Sequence, residues 1–191
     1  MNMMNDTIAA IATANATGAV SIIRISGEEA ILIASELINK DLSKKEGYTI
    51  TFGTVQEEND VVDEVLVSIF RAPKSYTGED VVEIGCHGGL FITRKILSLC
   101  LGKGARLARR GEFTERAFLN GKMDLSQAEG VNDLINATDE VNAKSAMHSL
   151  KGSVSKILKP LEEDLTQIIS NIEVNIDYPE YEDVEQLTTN D

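Results

Sequence analysis

Two charged residues stand in this sequence where strands would carry apolar ones. Arg24 falls in Ala19-Val-Ser-Ile-Ile-Arg-Ile25, a β-branched run without breakers that reads as a buried strand, and it shares a face with Val20 and Ile22. An arginine there needs an anionic or planar partner, because an unpaired buried charge is costly. Either a ligand clamped at the strand end or a structural ion pair with a nearby carboxylate meets that need. Glu83 poses the same choice within Val81-Val-Glu-Ile-Gly-Cys86, on the face of Val81. Its two acceptor oxygens suit the paired N–H groups of an aminopyrimidine-like ring, and they suit the guanidinium of Arg24 equally well.

Other reactive residue types lead less far. Cys86 and His87 are adjacent, so in a strand they point to opposite faces, a poor geometry for a nucleophile and its base. His87, just before Gly88-Gly89, reads as a structural turn residue. Two isolated cysteines, Cys86 and Cys100 in apolar stretches, give neither a disulfide framework nor metal-ligand spacing. The run Arg109-Arg-Gly-Glu-Phe-Thr-Glu-Arg116 and the Asn120-Gly-Lys-Met-Asp124 turn supply most of the basic charge and read, on composition, as a solvated helix and its exit. The phosphate-cradling pattern G-x-x-x-x-G-K-S/T occurs nowhere in the sequence, and Gly18 and Gly27 do not meet the dinucleotide spacing. No GTP site is expected within these residues.

The elements that must position these residues follow from periodicity. Ser26-Gly-Glu-Glu29 has the form of a capping box and predicts a helix through about Asn39. A second strand is expected near 63–70, then a turn-rich stretch from Pro73 to Glu79, a third strand over 81–86 and an apolar helix over 90–101. Strands alternating with helices give an α/β or α+β domain over residues 1–120. From 121 to 191 no strand pattern appears. Ser126-Gln-Ala-Glu129 has the form of a second capping box. Leu150, Val154, Ile157, Leu161, Leu165, Ile168, Ile172 and Ile176 recur at spacings of three or four, a helical seam that wants a partner helix. Pro160 inside it is expected to kink the helix or remove a backbone bond. The acidic tail from Tyr178 reads as a continuation broken off.

The chain has 191 residues, 42% of them hydrophobic, enough to bury a core. Its formal charge is −13, unevenly spread: residues 151–191 hold ten acids against three bases, and residues 88–122 eight bases against two acids. An anion could meet the basic stretch, although solvated helix faces account for it as well. No basic residue precedes Arg24 and no apolar run reaches membrane-spanning length, so a cytoplasmic protein without a signal peptide or membrane span is expected.

Taken together, Asp6-Thr-Ile-Ala-Ala10, Ile22-Ile-Arg-Ile-Ser-Gly27, Ser75-Tyr-Thr-Gly-Glu-Asp-Val-Val-Glu83, Cys86-His-Gly-Gly89 and the long run from Gly111-Glu-Phe-Thr-Glu-Arg116 through Asn120-Gly-Lys122 to Gly130 resemble the N-terminal part of the tRNA modification GTPases of the TrmE/MnmE family. Asp133-Leu-Ile-Asn-Ala137 and Asp177-Tyr-Pro-Glu180 extend the resemblance over essentially the whole chain. It implies an α+β N-terminal domain like the folate-binding domain of aminomethyltransferases, followed by the first part of an all-helical domain. It further implies homodimerisation through the N-terminal domain and a site for 5-formyltetrahydrofolate or a related one-carbon tetrahydrofolate. Arg24, Glu83 and Lys122 are the positions that match that site. With a flavoprotein partner, such enzymes build a carboxymethylaminomethyl group on the wobble uridine of tRNA. Their G domain, with its GTP, magnesium and potassium sites, would begin beyond Asp191.

The sequence departs from the pattern at Ala14-Asn-Ala-Thr17, at Arg110 where a proline is usual, and at Ser21 where glycine is frequent, which alters the rim of the implied pocket. Two rival functions remain: a stand-alone folate-dependent one-carbon transferase, and an assembly module that binds no ligand.

Overall fold

The computed structural model describes residues 6–58 and 60–177. It divides into two compact units, Met1–Met123 and Asp124–Asp191. The first is built on a six-stranded sheet: β1 (Ile8–Ile11), β2 (Val20–Ser26), β3 (Thr49–Glu57), β4 (Asp60–Phe70), β5 (Val81–His87) and β6 (Arg106–Leu107), in the order β3-β4-β5-β2-β1-β6. Every pairing is antiparallel except β1 with β6. Helices α1 (Ala30–Leu37) and α2 (Leu90–Gly102) pack on one face of the sheet. Between them and the strands lies the core, with Ile23 and Ile25 of β2, Ile84 of β5, Val67 and Ile69 of β4, Ile33 and Leu37 of α1 and Ile96 of α2 all buried. A short helix α3 (Glu112–Leu119) closes the unit.

The α+β class expected from the sequence is the one observed. Three strands were not expected from the sequence: β6 has only two residues, and β1 and β3 have reasons of their own. Strand β1 has four residues, too few for a period to register. Strand β3 carries Ile50 and Phe52 on the exposed face and Thr51 and Gly53 on the buried one, so its alternation runs against the usual apolar-in rule.

The expected capping box at Ser26–Glu29 does not form. Ser26 is the last residue of β2, its hydroxyl lies 2.7 Å from Thr77 Oγ1 and donates to Glu79 at 2.6 Å, and Glu29 caps α1 without a side-chain bond. The strand claims the serine before the helix can.

The second unit holds α4 (Leu125–Ile135), α5 (Glu140–Leu150) and α6 (Ser153–Asp177). The capping box of α4 is made two residues earlier than expected: Asp124 accepts from the backbone of Gln127, whose side chain accepts from the backbone of Asp124. The seam from Leu150 is not one helix. Gly152 takes φ 68°, where a side chain would be strained, so α5 ends and α6 begins there. From Ser153 the helix runs 25 residues with Pro160 inside it. Ile157, Leu161, Leu165, Ile168, Ile172 and Ile176 are exposed along it. The expected tail from Tyr178 lies outside the described residues.

Candidate functional site

The core-facing residues of β2 are Ile23 and Ile25; Arg24 looks the other way, onto the open face with the exposed Val20. Its face is apolar in residue type but not sealed, which corrects the buried-charge premise of the sequence reading. In the β2–β5 ladder Arg24 stands directly opposite Glu83. Nη2 and Nε of the arginine both reach Oε1 of the glutamate, at 2.7 and 2.8 Å, with side chains 25% and 22% exposed. The guanidinium carbon lies 5.1 Å from the Tyr76 ring centroid and 5.4 Å from that of Phe113. Among the described residues no hydrogen bond engages Nη1 of Arg24 or Oε2 of Glu83. Arg24 thus keeps a donor, and Glu83 an acceptor, that no described residue engages.

Lys122 is placed by the turn after α3, and its Nζ donates to the carbonyl of Pro73 at 2.8 Å. The segment from Ala72 to Asp80 is what relates the three residues. It opens on a cis Ala72–Pro73 bond, carries the Pro73 carbonyl to Lys122 and lays Tyr76 against Arg24. Arg24 and Glu83 are in contact; Lys122 reaches the same segment at its opening end.

A charged network that the sequence reading missed anchors this segment. Arg116, read as part of a solvated helix, is buried with its side chain 7% exposed. It pairs with Asp6 at 2.5 Å and with Glu79 at 3.1 Å. Glu112, with its side chain 3% exposed, accepts from Arg106 and from the backbone N–H of Arg109. Those bonds, the one from Arg106 foremost, outweigh burial and hold the Glu112 carboxyl down at about 2. Asp6 is lowered too, chiefly by its bond from Arg106. The signal in the sequence was the i, i+4 spacing of Glu112 and Arg116 on one helix face; partners more than thirty residues away left none. Two clefts flank the network, of about 280 Å³ beside Arg109 and Leu119 and about 450 Å³ beside Gly27 and Asp80. Neither is lined by Arg24, Glu83 or Lys122.

His87 ends β5 rather than sitting in the turn. Its Nδ1 lies 2.6 Å from Asp63 Oδ1 and its backbone N–H donates to Oδ2 at 2.8 Å. Cys86 faces the core while His87 is exposed, so the pair makes no nucleophile–base contact. Burial raises the Cys86 thiol and pushes Cys100 up to about 12, which leaves both thiols protonated and inert. Among the described residues no cluster of histidine, cysteine or carboxylates could hold a metal ion, and no helix is long and apolar enough to cross a membrane.

Comparison with known proteins adds a family. Residues 7–122 match the model of the GTP-binding protein TrmE N-terminus, and residues 125–191 match the MnmE helical domain. The chain is 51% identical over 187 residues to the tRNA modification GTPase MnmE of Levilactobacillus brevis, covering 96% of this chain and 40% of the relative. It is 51% identical over 189 residues to that of Enterococcus faecalis, covering 96% and 41%. With that of Pediococcus pentosaceus the identity is 52% over 186 residues, covering 96% and 40%. The chain thus spans about two fifths of the length of the curated relatives it matches.

Proposed function

The chain belongs to the TrmE/MnmE family of tRNA modification GTPases, and from that premise we propose that its N-terminal unit holds a one-carbon tetrahydrofolate at Arg24, Glu83 and Lys122. The observation that carries the reading is the Arg24–Glu83 pair on the open sheet face, bonded through one glutamate oxygen only. Nη1 of the arginine and Oε2 of the glutamate supply a donor and an acceptor of the kinds that the amino-oxo edge of a pterin calls for. Lys122, exchanging the Pro73 carbonyl for an anionic group, adds a cation. Bound there, the folate would supply a one-carbon unit to tRNA modification. This chain's own residues would bind and orient it.

The same face favours assembly. Phe52 pairs with Leu66 across β3–β4, Leu66 with Gly85 across β4–β5, and Phe52, Leu66, Ile50 and Val20 are all exposed. An apolar sheet face of that extent is buried by a partner in a stable protein. We assign it to a second copy of this chain, so that the unit is a homodimer. GTP hydrolysis, a flavoprotein partner and the modification of wobble uridine would belong to an assembled enzyme in which this chain takes part. The apolar side of α6 would be covered by further helices of the helical domain.

Calorimetric titration with 5-formyltetrahydrofolate tests the ligand. Wild type should bind, and Arg24→Ala should weaken binding about ten- to a hundredfold, as loss of one charged hydrogen-bonding contact does. Equal affinity for both proteins, or none for wild type, would remove the ligand from the account.

A further inference from the structure

The Arg24 guanidinium is gripped on one edge only. The hydrogen bond from Nε and the ion-pair contact of Nη2 fall on a single oxygen of Glu83, Oε1. One hydrogen bond and one ion-pair contact to the same oxygen leave the planar group free to pivot about that oxygen, so they do not by themselves aim Nη1. What bounds the pivot is a pair of rings from elsewhere in the chain. Tyr76 belongs to the segment between β4 and β5 and Phe113 to α3, and the guanidinium carbon lies within cation–π distance of both.

The rings are themselves braced. The Tyr76 hydroxyl lies 2.9 Å from Oγ1 of Thr114, the residue next to Phe113. Arg116 of α3 reaches Glu79 of the segment, and Asn120 donates to the Thr77 carbonyl at 2.7 Å. Segment and helix are thus bonded to each other, and the guanidinium rests against a ring from each.

We propose that Tyr76 and Phe113 are positioning residues that fix the plane of the Arg24 guanidinium, and so aim its unengaged Nη1 at the ligand, without being the ligand's own contacts. This rests on the reading of Arg24 as a folate-binding residue. It differs from an ordinary packing role in one respect: the rings act through Arg24, so their effect on ligand binding vanishes when Arg24 is gone.

A double-mutant cycle on the 191-residue chain, read as 5-formyltetrahydrofolate affinity, tests this. Tyr76→Leu and Phe113→Leu, which keep apolar bulk but remove the π face and, at Tyr76, the hydroxyl bonded to Thr114, should each weaken binding about three- to tenfold. In the Arg24→Ala background the same substitutions should change affinity by less than about twofold. Phe113→Tyr, which keeps a ring, should restore affinity to near wild type. Ring losses that weaken binding equally with and without Arg24 would overturn the proposal, since the rings would then touch the ligand or merely hold the fold. So would single substitutions with no effect. If Arg24→Ala itself binds like wild type, the failure lies one level lower, in the assignment of Arg24. Should a leucine variant melt early, Phe113→Met and Tyr76→Met run the same cycle, and only vanishing ring effects without Arg24 sustain the inference.

Discussion

At the scale of single residues, two kinds of charge coexist in the first unit. Arg24 and Glu83 are half-buried and share one contact oxygen, whereas Arg116 and Glu112 are buried and bonded on several sides. The second kind holds the fold, and its pH dependence follows from the sign of the shifts. The Glu112 carboxyl is lowered from its ordinary 4.5 to about 2. Its contribution is therefore fully present above about 4.5 and is lost as pH falls through about 2. Glu112→Gln should lower stability by about 1.5–3 kcal/mol at pH 7. Thermal melts of the two proteins should converge as pH falls through that window; a gap that stays constant down to pH near 2 would mean the carboxylate is not the stabilising form. Arg24 and Glu83 were legible in the sequence because a charge inside a β-branched run has no local explanation. Arg116 was not, since a charge on a short helix is ordinary until Asp6 and Glu79 close over it.

At the scale of elements, close approach decides more than propensity. Helices α4 and α5 pack against each other at Gly130, where an added Cβ would meet Ser149 Cβ at 3.0 Å and the Ala146 carbonyl at 3.1 Å. Two of the three nearest atoms are backbone of α5 and cannot swing away. Gly130→Val should destabilise the helical unit by overpacking, by about 1–3 kcal/mol, visible as an earlier loss of helical circular dichroism. An unchanged melt would show that the two helices slide apart freely. The strands that carry Arg24 and Glu83, and the helix between β5 and β6, were readable from apolar runs bounded by breakers. Caps were not: Ser26 and Ser126 have the right spacing, but a strand end takes the first and Asp124, two residues earlier, pre-empts the second.

At the scale of the whole molecule, the family and the α+β-then-helical organisation were legible from motif order alone, while the open sheet face was not. Exposed Phe52 and Leu66 look like core residues in a sequence, because periodicity tells the two faces of a strand apart without saying which is covered. That face is assigned to a second copy. The chain should sediment as a dimer at micromolar concentration, and Phe52→Asp should shift it toward monomer by placing an unpaired charge on the face. A wild-type monomer, or a dimer indifferent to that substitution, would move the interface elsewhere. The central claim, that Arg24 and Glu83 serve a ligand rather than only each other, is tested most directly by exchanging them. The double variant Arg24→Glu/Glu83→Arg keeps an opposed cross-strand ion pair but exchanges the places of donor and acceptor. The account predicts a melting temperature within a few degrees of wild type and loss of 5-formyltetrahydrofolate binding by calorimetry. Wild-type affinity in the exchanged protein would contradict it.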